Sequence, residues 1–313
     1  MRCLVTGAAG FIGSHISEAL IDRCHEVVGI DCFTDYYARA IKESNLSALR
    51  NSPRFTMVEA NLLEHDLDHL LKGVEVIYHE AAQAGVRASW GQSFRIYTGN
   101  NIRATQRLLE AARSIPLKRF VYACSSSIYG DAVELPVTET ALPQPVSPYG
   151  VSKLAAEHLC HLYRVNYGVP TVALRYFTVY GPRQRPDMGF HKFIRALLSD
   201  EEIVIYGDGN QTRDFTFVSD AVAANLACME AEVAGRVFNI GGGSRVSVNY
   251  VLDVLQRLSG RKARVRYIED QKGDVRDTHA DTSRARDALD FRPAVTTEEG
   301  LRAELEWLQG MRR

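Results

Sequence analysis

The stretch VTGAAGFIGSH, residues 5–15, decides the fold. It sets Gly7, Gly10 and Gly13 at three-residue intervals between two apolar runs of different period. RCLVT (2–6) reads as a strand, and FIGSHISEALIDR (11–23) puts Ile12, Ile16, Ala19 and Leu20 on one helical face. Glycines at a strand-to-helix junction permit a tight turn and let the backbone close on a pyrophosphate, which the helix N-terminus then holds. Turns use glycine anyway, so the triplet alone says little; the strand before it and the helix after it give it weight. Asp31 closes the next strand, EVVGI (26–30), 18 residues beyond Gly13. A carboxylate there accepts hydrogen bonds from the adenosine ribose hydroxyls and repels a 2′-phosphate, which favours NAD over NADP. The plain alternative for Asp31 is a strand-end turn residue.

Outward from this unit the pattern repeats. FTMVEA (55–60), EVIYH (75–79), RFVYAC (119–124) and TVALRY (171–176) are β-branched and aromatic and end at Gly, Pro or charge. NNIRATQRLLEAARS (100–114) has helical periodicity through Ile102, Leu108, Leu109 and Ala112. Such alternation predicts an α/β fold: right-handed βαβ units and a doubly wound parallel sheet covered on both faces. After residue 177 the texture changes to a Gly/Pro-rich loop, TVYGPRQRPDMG, a short helix (190–200), the strand EIVIYG and the turn DGNQ. With no linker in between, residues 1–176 are expected to form the nucleotide domain and 177–313 a smaller mixed α/β lobe packed on it, with 214–240 returning to the first domain.

Composition narrows the class. The 313 residues are 46% hydrophobic and 24% charged with a net charge of −1, a balance without the basic bias of nucleic-acid or membrane-surface proteins. No apolar run reaches the roughly 18 residues of a membrane span. Met1 leads directly into the first strand, leaving no room for a signal peptide. Cysteines 3, 24, 32, 124, 160 and 228 are scattered, which fits free thiols in a reducing cytoplasm. His65/His69 and His158/His161 lack a third clustered ligand, so solvated helix faces are expected there and no metal site.

VSPYGVSKLAAEH (146–158) carries Tyr149 and Lys153 four residues apart at a loop-to-helix junction. That spacing puts both on one helix face, where an ammonium near the phenol would lower its pKa toward working pH. A phenolate can take a proton from a sugar hydroxyl while the carbon beneath it gives up hydride. The fifth strand ends in CSSSIYG (124–130), and ligands of parallel α/β sheets lie beyond the carboxyl ends of the strands, so Ser125, Ser126 and Ser127 stand where a substrate would sit.

In order along the chain, TGAAGFIGSH, HEAAQAGVR, SSSIYG, SPYGVSK, RYFTVYGPRQRPDM, YGDGNQTRDFTFVSD, FNIGGG and GDVRDTHAD resemble the extended short-chain dehydrogenase/reductase superfamily in its nucleotide-sugar epimerase branch. The resemblance runs nearly end to end. It implies a Rossmann-type domain, bound NAD, a UDP-sugar substrate and a homodimer built on helices near 95–113 and 149–167. It implies Ser125, Tyr149 and Lys153 as the catalytic triad, with Ser126 beside them. The implied cofactor contacts are Gly7, Gly10, Phe11, Ile12, Gly13, Asp31, Asn61, Leu62, Ala81, Ala82, Gln83, Tyr149, Lys153 and Tyr176. Substrate contacts are implied at Arg87, Ser127, Thr178, Arg185, Gly189, Gln211, Arg213 and Arg276, with Arg213 and Arg276 on the diphosphate.

Dehydrating members of the family carry an Asp-Glu pair after the catalytic Ser, and decarboxylating members a Glu two places on; Ser126 and Ser127 occupy those places here. Epimerisation at C4 remains. Arg185 matches the arginine that holds the sugar carboxylate in UDP-glucuronic acid 4-epimerases, and AAQAGVR and ATQRLLEA are similar to that branch. UDP-glucose 4-epimerases share GPRQRPDM, so that sugar stays open, as do a loop-anchoring role for Arg185, a simple dehydrogenase and a non-catalytic NAD sensor. Two residues depart from the family pattern. Asn61 replaces an Asp beside adenine, and Glu80 stands where an apolar residue is commoner, facing solvent or paired with an arginine.

Overall fold

The computed structural model describes residues 1–132, 134–269 and 271–311. The chain opens β1 (Arg2–Thr6), α1 (Phe11–Asp22), β2 (Glu26–Asp31), α2 (Arg39–Asn45), β3 (Phe55–Glu59), α3 (Leu67–Leu70) and β4 (Val76–His79). After α4 (Phe94–Tyr97), the stretch Thr98–Arg103 widens to π-helical turns before α5 (Ala104–Ala112), so the helix expected over 100–114 is regular only in its second part. Within those turns, Asn101 exchanges hydrogen bonds with the Gln83 backbone at 2.7 and 3.0 Å, which ties the segment to the strand-end loop after β4.

β5 (Arg119–Ser125), α6 (Pro148–Tyr167) and β6 (Thr171–Tyr176) complete the first alternation. The chain then forms β7 (Val179–Tyr180), α7 (Gly189–Ser199), β8 (Glu202–Tyr206), β9 (Thr212–Asp214), β10 (Thr216–Phe217), α8 (Val218–Glu230) and β11 (Val237–Ile240). It ends with β12 (Arg245–Ser247), α9 (Val248–Ser259), β13 (Arg264–Ile268), α10 (Ser283–Leu289) and α11 (Thr297–Gly310).

Seven strands form one parallel sheet in the order β11-β6-β5-β4-β1-β2-β3. Alternate residues of the same strands bury two cores. Val5, Tyr78, Val121, Leu174 and Phe238 face α1, α8 and α10, while Leu4, Ile77, Phe120, Tyr122 and Ala173 face α5 and α6. The order reverses at β1, whose neighbours are β2 and β4, and this switch point opens the crevice above the sheet. The smaller lobe packs α7, α9 and α11 around Ile194, Phe215, Val251, Leu255, Leu301 and Leu305, with strand pairs β8/β13 and β9/β12 at its edge. Between its contributions the chain returns to the sheet, where α8 crosses α1 and β11 pairs with β6. No helix among the described residues is long and apolar enough to cross a membrane.

Candidate active site

Above the switch point lies a cleft of about 1210 Å³, counting its open mouth. Its lining includes all fourteen residues implied to contact the cofactor: Gly7, Gly10, Phe11, Ile12, Gly13, Asp31, Asn61, Leu62, Ala81, Ala82, Gln83, Tyr149, Lys153 and Tyr176. The glycines are needed sterically. Gly7 has φ +68° and hydrogen-bonds to Ile30 O at 2.8 Å, and a Cβ on Gly13 would lie 2.3 Å from the Gly7 carbonyl oxygen. Gly10 precedes α1 without any side-chain cap, which leaves first-turn N–H groups for a ligand. A bare helix N-terminus behind a side-chain-free turn fits a dinucleotide pyrophosphate.

Asp31 accepts from Ala9 N at 3.2 Å and from Phe33 N at 2.8 Å, so its carboxylate also pins the loop it serves. Lys42 of α2 lies 3.9 Å from it, buried, and lines the same cleft with Tyr36 and Tyr37. Sequence reasoning missed these three, because DYYARAIK has no motif and α2 is short. Asn61 uses its Oδ1 to accept from Leu63 N at 2.9 Å, capping the turn after β3.

At the other end of the cleft α6 delivers Tyr149. Ser147 caps the helix by accepting from Gly150 N at 3.1 Å, and Pro148 starts it. A Cβ on Gly150 would lie 2.4 Å from Ser127 O, so the glycine lets the first turn of α6 press against the end of β5. Tyr149 is thereby brought up to Ser125. Burial raises the phenol pKa, while the nearby Ser125 hydroxyl and the Arg185 charge pull it down. Lys153, one turn further along α6, lines the same cleft. Its ammonium lies 4.5 Å from the centroid of the Tyr122 ring, and burial lowers its own pKa against the upward pull of Cys124, Glu80, Cys160 and Glu157.

Glu80 requires a correction. It neither faces open solvent nor meets an arginine. It follows β4, lines the cleft and accepts from the Tyr176 hydroxyl at 3.0 Å.

Arg185 lines the cleft on the Tyr149 side and is held by Asp187 through Nε at 2.9 Å and Nη2 at 3.0 Å. Tyr36 donates to the same carboxylate at 3.1 Å. The Arg185 Nη1 group has no hydrogen-bond acceptor among the described residues. The Asp187 pairing carries no sequence signal beyond the two residues' proximity in RQRPDM.

Four of the implied substrate residues gather at the lobe edge. Arg87 pairs with Asp274 at 2.5 Å and lies 3.8 Å over the Tyr206 ring. Gln211 donates to Tyr206 O at 2.7 Å, and its buried Oε1 has no partner among the described residues. Arg213 donates to the carbonyls of Thr212 at 2.9 Å and Arg276 at 2.6 Å, and also to that of Val275. Burial lowers its pKa, and the carboxylates of Asp274 and Asp277 offset this only from a distance. A diphosphate would supply the anion it lacks. Arg276 is exposed and lies 3.6 Å from Asp208. Thr178 spends its carbonyl on Thr216 N at 2.9 Å, Gly189 opens α7 beside free space, and Ser127 donates its N–H to Ser125 Oγ at 3.1 Å. Ser126 starts the short turn after β5.

A family model described as the NAD dependent epimerase/dehydratase family matches residues 3–241. The chain belongs to the NAD dependent epimerase/dehydratase family. Within it, the chain is 44% identical to the UDP-glucuronic acid 4-epimerase of Bacillus cereus, solved with UDP-glucuronic acid and NAD; the match covers 99% of this chain and 100% of that one, with a TM-score of 0.97. MoeE5, solved with UDP-glucose and NAD, is 40% identical over 100% of both chains, with a TM-score of 0.90. A UDP-glucose epimerase of Bacillus subtilis described as uncharacterized, YtcB, is 46% identical over 99% of each chain.

Proposed function

We propose that this protein is an NAD-dependent UDP-sugar 4-epimerase that interconverts UDP-glucuronic acid and UDP-galacturonic acid. The observation that carries the sugar choice is Arg185, a guanidinium in the cleft close enough to Tyr149 for its charge to lower the phenol pKa. Two of its nitrogens are committed to Asp187, and Nη1 remains for a sugar carboxylate.

NAD held on the glycine turn would supply a hydride acceptor for C4 that is regenerated within each turnover. Tyr149 removes the C4 hydroxyl proton and gives it back, and Ser125 holds the same oxygen. Arg213, Arg276 and Gln211 would anchor the diphosphate end while the keto sugar turns over. Ser126 and Ser127 offer no carboxylate for elimination at the sugar. Arg185 would also hold the carboxylate out of line with the C4 ketone, because a β-keto acid loses carbon dioxide when the two align.

UDP-glucose is the second reading, favoured by the Arg185–Asp187 pair, which already meets part of the guanidinium charge. Arg185→Ala separates the two. On the acid sugar kcat/KM should fall about 100-fold, the loss of a charge-assisted hydrogen bond, against a few-fold on UDP-glucose. Full activity and affinity of the variant on UDP-glucuronic acid would contradict the assignment.

A homodimer and a cytoplasmic location complete the proposal. Ile96 of α4 and Val151, Leu162, Val165 and Tyr167 of α6 are exposed apolar side chains on neighbouring helices, and all six thiols are free.

A further inference from the structure

One ionisable group in the cleft has no part in proton transfer or sugar binding. Glu80 directly follows β4, beside the turn of Gly7, whose Cβ would touch the Glu80–Ala81 backbone. Its side chain reaches Tyr176 at the end of β6, and Asn225 of α8 donates to the same Tyr176 oxygen at 2.6 Å. The carboxylate is thus fixed on the floor of the cleft, on the β4–β6 side, where Ser125 and Tyr149 also stand. A dinucleotide whose pyrophosphate sits on the glycine turn and whose adenosine lies toward Asp31 must place its nicotinamide on this side.

We propose that the Glu80 carboxylate tunes the bound nicotinamide, favouring its oxidised, cationic form over its reduced, neutral form. The inference rests on NAD as cofactor and not on which sugar is epimerised.

When hydride leaves C4, the C4–H bond breaks and two electrons and the hydrogen pass to the ring, while the hydroxyl proton passes to Tyr149. The positive charge of the ring is lost in that step. A fixed anion below the ring opposes the loss and favours return of the hydride. In an epimerase this shortens the life of the keto intermediate, from which carbon dioxide or the ketone itself could escape. Burial raises the Glu80 pKa to about 7, against the hydrogen bond from Tyr176 and the charge of Lys153, and a cationic ring beside it would draw it back toward ionisation. The groups that face it are Tyr176 from β6 and Lys153 from α6, with the uncharged Asn225 of α8 on the Tyr176 hydroxyl.

The test is competitive loading of the enzyme with mixtures of NAD⁺ and NADH, followed by release and quantitation of the bound nucleotide. Glu80→Gln keeps an acceptor for Tyr176 and removes only the charge. Bound NADH relative to NAD⁺ should rise about tenfold in the variant, the effect of one charge in a partly solvated cleft. In the wild-type enzyme the same ratio should fall as pH rises toward about 7 and level off above it, because the carboxylate ionises first beside the cationic ring, and it should be flat in Glu80→Gln. The wild-type titration needs no variant to fold. An unchanged ratio in Glu80→Gln, or a wild-type ratio independent of pH, overturns the proposal. Failure to bind either nucleotide would instead refute NAD as the cofactor.

Discussion

Tyr149 illustrates that a residue's chemistry draws on more than its nearest partner in sequence. The four-residue spacing to Lys153 is the signal that draws attention to both, and the fold adds Ser125 and Arg185, brought in by β5 and by the loop after β7, which also pull the phenol pKa down. Tyr149→Phe removes the proton acceptor and leaves the ring, so kcat should fall by about 10²–10⁴ while NAD stays bound. Single-turnover absorbance of reduced nicotinamide checks this, and a variant with near wild-type kcat would place the base elsewhere. The Arg185–Asp187 pair and the Glu80–Tyr176 bond were invisible in the sequence for one reason. Each depends on where a side chain turns at a loop or strand end, and neither spacing nor periodicity encodes that direction.

At the scale of elements, most of the sheet was legible. The strands β1, β2, β4, β5 and β6 are largely buried apolar runs bounded by turn residues, β3 at the sheet edge is half-buried, and the glycine junction after β1 has a specific steric demand. The short strands β7, β9, β10 and β12, of two or three residues each, have too little length to show a period. The widened turns at Thr98–Arg103 escaped for a similar reason, since π and α turns share the same apolar pattern over so few residues. The glycine junction gives the firmest prediction here. Gly13→Ala forces a Cβ to 2.3 Å from the Gly7 carbonyl oxygen, backbone against backbone. It should cost about 2–4 kcal/mol of stability and release NAD more readily, read by thermal unfolding and by nucleotide retained on gel filtration. Wild-type stability with full NAD occupancy would show that the turn has room that the steric contacts deny.

For the whole molecule, the chain alternates between the sheet and the smaller lobe, and the cleft takes residues from both. Gly7, Glu80 and Tyr176 come from strand ends, Tyr149 from α6 and Arg185 from the loop beyond the sheet. A cleft built in this way has room for cofactor and sugar side by side. The most direct test is to incubate the purified protein with UDP-glucuronic acid, with no NAD added, and follow the anomeric protons by NMR. Appearance of UDP-galacturonic acid at equilibrium, without net NADH, is the result expected. No change with UDP-glucuronic acid, alongside conversion of UDP-glucose to UDP-galactose, would contradict the carboxylate role of Arg185, and a pentose product would contradict epimerisation itself.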